Sequence, residues 1–439
     1  MPPALVSEDE TPAASAPSLD GGRSIKKLVG CANFLRTNPR TDLFEVRKFH
    51  HVEFWCPDAT NAYKRFQIGL GMSLVARSEQ SSGNKLCASY VTRSKDLVFA
   101  FTTPYPSSVA AGNQSPSRGF DAETCREFIR EQGFGVRAVG LLVGDAREAF
   151  VVAVAHGAEP VCPPVELDDP ASGTKQRISE VKLYGRVVLR FVSGDYDGPF
   201  LAGFEQVDGP QLSYGLSRLD HAVGNVENLL ETVNYMMGFT GFHEFAEFTA
   251  EDVGTVESGL NSMVLANNNE TVLLPVNEPI HGTKRQSQIQ TFLDHNCGPG
   301  LQHLALKTDD VFATVAEMRK YSEFGGFEFM PRPSDSYYRE LPSRIGNSLS
   351  PKQYEDLEKL GLLADKDDQG VLLQVFTKPV SDRPTIFLEI IQRVGCEREV
   401  LDEFGNPVIE QSGGCGGFGK GNFAELFKSI EDYEKSLGV

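Results

Sequence analysis

Arg383-Pro384-Thr385-Ile386-Phe387-Leu388-Glu389-Ile390-Ile391-Gln392-Arg393 is an apolar, β-branched run, and it reads as a buried strand. A carboxylate, Glu389, stands in its middle. A lone buried carboxylate is costly, so this position demands a counter-charge or a metal. Two other strand-like runs carry one out-of-place polar residue each: residues 217–223 hold His221 and residues 301–306 hold His303. Two imidazoles and one carboxylate from separate strands form a facial triad, the donor pattern of non-haem Fe(II) oxygenases. Residue type alone does not separate this triad from two satisfied core histidines and a buried ion pair.

An internal repeat separates them. Phe49-His50-His51-Val52 corresponds to Leu219-Asp220-His221-Ala222, and each is followed by a helical stretch ending in a Gly turn. Residues 135–141 correspond to 300–306, the helix at 145–156 to that at 309–321, and residues 188–192 to 387–391. At the three triad positions the second copy holds His221, His303 and Glu389, whereas the first holds His51, Ala138 and Arg190. The first copy has lost two donors and put a cation in their midst, so only the second is equipped for a metal. The expected fold is α+β: two tandem domains of paired βαβββ modules curving into open barrels, with the metal in the C-terminal barrel. Residues 1–26 are expected as a disordered tail, 27–200 as a metal-free structural domain and 201–439 as the catalytic domain. His303 and Glu389 are 86 positions apart, against 52 between Ala138 and Arg190. The surplus falls at 331–370 and is expected to pack beside the site, since long insertions in compact domains usually serve function.

Composition excludes other classes. A length of 439 residues allows two or three domains with real cores. A formal net charge of −18 argues against nucleic acid or an anionic membrane as partner. No apolar run is long enough to span a bilayer. The Pro/Ala/Ser-rich, acidic N-terminus resembles neither a secretory signal nor a transit peptide, and cytosol is the expected compartment, with plastid the alternative. The eight cysteines show no C-x-x-C pair, which points to reduced thiols. Residues 413–421 are glycine-rich but lack G-K-[ST] and have no strand expected before them, so they are not a phosphate loop. They read instead as a mobile segment leading into a helix at 422–437, N-capped by Asn422, that serves as a lid.

Leu219-Asp220-His221, Gly300-Leu301-Gln302-His303-Leu304-Ala305, Leu373-Gln374-Val375-Phe376-Thr377, residues 387–391 and the glycine-rich run 413–423 together resemble the 4-hydroxyphenylpyruvate dioxygenases of plant type, within the vicinal-oxygen-chelate superfamily. The resemblance implies Fe(II) as cofactor and 4-hydroxyphenylpyruvate and O2 as substrates. It also implies homogentisate and CO2 as products, a place in tyrosine catabolism and in plastoquinone and tocopherol supply, a homodimer, and a family that is a herbicide target. It further implies that the segment between Glu389 and Gly413 does not bear on the site. The alternatives are 4-hydroxymandelate synthase, an extradiol ring-cleaving dioxygenase, or a non-catalytic binder of aromatic ligands in the same superfamily.

His221, His303 and Glu389 are the expected metal ligands. Gln288, Gln302 and Gln374 are, by resemblance, a catalytic amide network near the bound substrate. Gln288 read alone belongs to an exposed polar loop. Gln302 adjoins a ligand, yet strand alternation points it away from His303 unless a bulge intervenes. Ser262 and Asn277 are expected to bind substrate through their polar groups. Phe376, Phe387, Phe418 and Phe423 are expected aromatic walls, against the ordinary reading of core packing. Phe387 and Glu389 are two apart on one strand and share a face, as do Gln374 and Phe376. By resemblance, Phe376 and Phe423 sandwich the substrate ring.

Overall fold

The computed structural model describes residues 28–106, 120–168, 173–254, 259–401 and 406–438. The expected tail at 1–26 lies outside the described residues.

Two large mixed sheets carry the chain, and they repeat one strand order. In the first, Val46–Trp55 and Gly135–Val143 are the antiparallel centre. Leu97–Pro104, Cys87–Ser94 and Ser73–Ser78 follow outward on one side, and Val187–Gly194, Lys175–Tyr184 and Pro160–Asp168 on the other. In the second, Leu216–Asn225 and Gly300–Thr308 are the centre. They are flanked by Leu273–Pro279, Leu260–Ala266 and His243–Phe248, and by Phe387–Gly395, Gly370–Phe376 and Leu363–Lys366. Each copy therefore runs βαβββ twice, which is the expected pair of modules in an α+β fold.

Cross-strand register turns the sequence repeat into a structural one. His51 lies opposite Gly140, which pairs with Arg190; His221 lies opposite Ala305, which pairs with Glu389. Matching helices follow the first strand of each copy, Ala59–Leu70 and Leu229–Thr240, started by Asp58 and Asn228. Each of these side chains accepts from a backbone N–H three residues on, a cap worth about 1 kcal/mol. One contiguous apolar core joins the copies, with Phe66 of the first packed edge-on to Phe327 of the second. No helix among the described residues is long and apolar enough to cross a membrane.

The surplus at 331–370 forms two helices, Asp335–Ile345 and Pro351–Leu360, before the edge strand Leu363–Lys366. Tyr337 of the first helix donates to Asn422 Oδ1 at 2.8 Å, so this insertion props the start of the C-terminal helix Phe423–Leu437. That contact corrects the expected N-cap. Asn422 sits in a 3-10 turn with helical backbone, and its amide oxygen is engaged by Tyr337 and Arg344 instead of a helix N–H.

The glycine-rich segment needs two further corrections. A strand, Pro407–Gln411, does lead into it, as half of a hairpin with Glu397–Leu401. Its glycines are demanded by conformation and close packing. Gly416 and Gly419 have φ of 76° and 73°, and a Cβ at either would strike the Val371 backbone or the Gln374 amide. The all-thiol expectation also fails: Cys396 and Cys415 are disulfide-bonded. The segment folds back onto the end of the Glu389 strand, a proximity that no short-range cysteine spacing announces.

Candidate metal centre

Three adjacent strands place the triad. His221, His303 and Glu389 offer ligand atoms that all lie within 4.8 Å of one another. His221 Nε2 is 3.1 Å and His303 Nε2 is 3.5 Å from Glu389 Oε2. Donors about 2.1 Å from one ion, a usual distance for imidazole and carboxylate, sit about 3 Å apart when adjacent in its shell. The outer nitrogens test the fit independently. Asp220 Oδ1 takes the Nδ1–H of His221 at 2.9 Å, and Gln302 Oε1 takes that of His303 at 2.9 Å. Both rings therefore present Nε2 to Glu389, the arrangement by which outer partners orient metal-ligating histidines. The residues present fit a divalent metal.

The electrostatics agree. Burial pushes the Glu389 carboxyl up, but hydrogen bonds from the two imidazoles more than offset it and hold the group at about 2. Burial works against charge on His221 as well, yet Asp220 and Glu389 raise its pKa above the ordinary value. His303, with only Glu389 to offset burial, stays below it. Asp220 is held well below the usual carboxylate range, against burial, by the Arg393 guanidinium and His221. In the first copy Arg190 fills the corresponding place. It pairs with Glu53 and Glu180 at 2.7 Å each and contacts His51 Nε2 at 2.9 Å. A tethered cation there occupies the ground that the second copy leaves to an ion.

All twelve expected site residues line one cavity around the triad. Gln302 reaches it through a β-bulge. Val223 pairs with His303 and Gly224 with Leu301, so Gln302 is the extra residue and escapes strict alternation. Gln288 is not in an exposed loop. It opens the helix Gln288–Asn296, is buried, and its Oε1 has no hydrogen-bond partner; Gln374 Oε1 is likewise unpartnered. Ser262 and Asn277 are directly opposed across two strands, and Asn277 donates to Asn225 at 3.2 Å. Phe387 stacks on the His303 ring at 4.9 Å, and Phe418 meets His221 edge-on at 5.3 Å. Phe376 and Phe423 are further walls, and the C-terminal helix closes the cavity with Leu426, Phe427 and Ile430.

Sequence reasoning missed Phe248, Leu260, Val264 and Pro275, apolar lining that carries no signal distinct from core. It also missed Arg393. The segment after Glu389 does bear on the site, because Arg393 holds Asp220 with Nε and Nη2 at 3.0 and 2.8 Å. A second charged residue in this apolar strand, four positions after Glu389 and so on the same face, was the available signal.

A doubled βαβββ sheet with a two-histidine, one-carboxylate cluster in one copy defines an enzyme of the glyoxalase-type fold. Residues 218–345 match the family described as Glyoxalase/Bleomycin resistance protein/Dioxygenase superfamily. A 4-hydroxymandelate synthase triple mutant from Streptomyces coelicolor shares the fold, with a TM-score of 0.69 at 22% identity, covering 89% of this chain and 99% of that one. The 4-hydroxyphenylpyruvate dioxygenase of Daucus carota is 59% identical over 417 residues, covering 94% of this chain and 92% of the relative. That of Arabidopsis thaliana is 55% identical over 446 residues, covering 99% and 97%. The chain belongs to the 4-hydroxyphenylpyruvate dioxygenase family.

Proposed function

We propose that this chain converts 4-hydroxyphenylpyruvate and O2 to homogentisate and CO2, with Fe(II) held by His221, His303 and Glu389. The observation that carries the reading is the convergence of two Nε2 atoms and one carboxylate oxygen at the wall of a largely apolar cavity in a chain of this family. Two imidazoles and a carboxylate with open positions are the donor set of non-haem Fe(II) oxygenases. Fe(II), when bound, supplies Lewis acidity toward the 2-oxo acid and the redox capacity to use dioxygen. The substrate brings its own 2-oxo acid, so no separate 2-oxoglutarate is needed.

The protein's part is to bind, orient and exclude water. Gln288 and Gln374 each offer an unpaired amide oxygen to the cavity, suited to accept the phenolic O–H. Gln302 spends its oxygen on His303 and thereby fixes that ring. Ser262 and Asn277 orient polar substrate atoms from the facing strands. Phe376 and Phe423 flank the ring, while Phe387 and Phe418 brace the two histidines. The helix Phe423–Leu437 acts as a lid, keeping bulk water from the reacting centre. Residues 27–200 serve as a structural domain and 201–439 as the catalytic one, and the chain works as a cytosolic homodimer; light scattering tests the assembly.

The test is O2 uptake with Fe(II), ascorbate and 4-hydroxyphenylpyruvate, with product identified by mass and chromatography, beside Glu389→Ala. Homogentisate from the wild type and none from the variant is expected. Hydroxymandelate as product would move the assignment to the mandelate synthase, and absence of uptake by iron-loaded protein would refute the reading.

A further inference from the structure

The guanidinium of Arg393 is 1% exposed and has four acceptor contacts. Nε and Nη2 grip both oxygens of Asp220, whose Oδ1 also holds His221. Nη1 donates to the carbonyls of Cys415 at 2.6 Å and Gly417 at 2.7 Å. One planar group thus touches the partner of a metal ligand on one side and the root of the covering segment on the other. From that root the chain runs through Phe418 against His221 and Gly419 against Gln374 into the helix that closes the cavity.

The first copy is an internal control. The positions matching Asp220 and Arg393 are His50 and Gly194, yet the sheet there has the same strand order. The Asp–Arg pair accompanies the metal donors and the covering segment, and the fold does not require it.

We propose that Arg393 is a positioning residue that couples metal binding at His221 to the seating of residues 413–421. This inference rests on the metal-centre reading. If the segment lifts, Nη1 loses two buried acceptors, and an unmade buried hydrogen bond to a charged group is costly. The fork must then turn, and it carries Asp220 with it, which frees the His221 ring. By the same coupling, an ion that pins His221 pins Asp220, Arg393 and the two carbonyls. Linkage makes the effect reciprocal: metal protects the segment by the factor by which the seated segment tightens metal.

Amide hydrogen exchange across 413–421, in the full chain with and without Co(II), reads the coupling directly. Co(II) is expected to slow exchange about tenfold in the wild type, within the usual span of such couplings. Arg393→Lys keeps a cation but cannot reach Asp220 and both carbonyls together. In it the ratio with and without Co(II) is expected to fall below about twofold. A merely structural role would raise exchange equally in both states and leave the ratio intact, and that result overturns the proposal. So does Co(II) binding without protection in the wild type. Failure of the wild type to bind Co(II), followed by its visible absorption, refutes the metal-centre reading and the inference with it. Asp220→Asn, which leaves the guanidinium on the carbonyls, replaces Arg393→Lys if that variant does not fold, with the same expected collapse.

Discussion

Arg190→Met tests whether the first copy is a metal site converted to a structural charge cluster. Arg190, Glu53 and Glu180 are each at most 3% exposed at the side chain, and the guanidinium is the cation in direct contact with both carboxylates, Arg137 acting on them only from farther off. Methionine fills much of the same volume, so the loss is electrostatic. Glu53 and Glu180 then remain buried beside His51, which burial, His50 and Arg190 together keep neutral in the wild type. Freed from Arg190, His51 can take a proton and balance one carboxylate; the other must be neutralised. Protonating a glutamate of ordinary pKa (~4.3) costs about 4 kcal/mol at pH 7 and about 1 kcal/mol at pH 5. The pH 7 figure agrees with the ~3–5 kcal/mol lost when one partner is removed from a buried ion pair. The assay is urea unfolding followed by Trp55, the single tryptophan, whose indole N–H contacts Glu53 at 3.3 Å and so reports on this half. Arg190→Met is expected to be destabilised at pH 7 and to recover most of the loss at pH 5, with Co(II) affinity at the other copy unchanged. Equal destabilisation at both pH values, or weakened Co(II) binding, would refute the reasoning.

Metal binding should release one proton and not two between pH 6.5 and the raised pKa of His221. There His221 is protonated in the metal-free protein while His303 is already neutral. Calorimetry in buffers of differing ionisation enthalpy counts that proton. The sign is fixed: apparent affinity climbs as pH rises through this window and levels above it. The stability that the His221 proton gives the metal-free fold is full below pH 6.5 and fades over the same range. Gly419→Ala places a methyl on a left-handed residue, 2.6 Å from Gln374 Nε2, and so displaces that amide. Losing one orienting hydrogen bond lowers kcat/KM for 4-hydroxyphenylpyruvate about tenfold. Circular dichroism should stay native, and unchanged kinetics would count against a role for Gln374.

The strand Phe387–Gly395 was legible because a carboxylate inside an β-branched run violates the ordinary economy of burial. The cluster was legible because a duplicated chain carries its own comparison: His51, Ala138 and Arg190 stand where the second copy sets His221, His303 and Glu389. Period-two alternation put Phe387 with Glu389 and Gln374 with Phe376, and the structure lines one cavity with all four. Patterns of that kind survive in one dimension because each depends on near neighbours or on a repeat.

Tertiary structure decided the rest. The bulge that turns Gln302 inward is a mismatch of register between two strands about 80 residues apart, which neither strand encodes alone. Gln288 became buried because the C-terminal helix lies over it, and Cys396 met Cys415 because a glycine-rich turn returns to a strand end. Arg393 acquired its meaning only when folding set Asp220 on one side of it and two backbone carbonyls on the other. Sequence determined which residues could not be ordinary core. Which of them share a proton, a carbonyl or a cavity wall was decided by long-range register and packing, since those contacts join segments far apart in the chain.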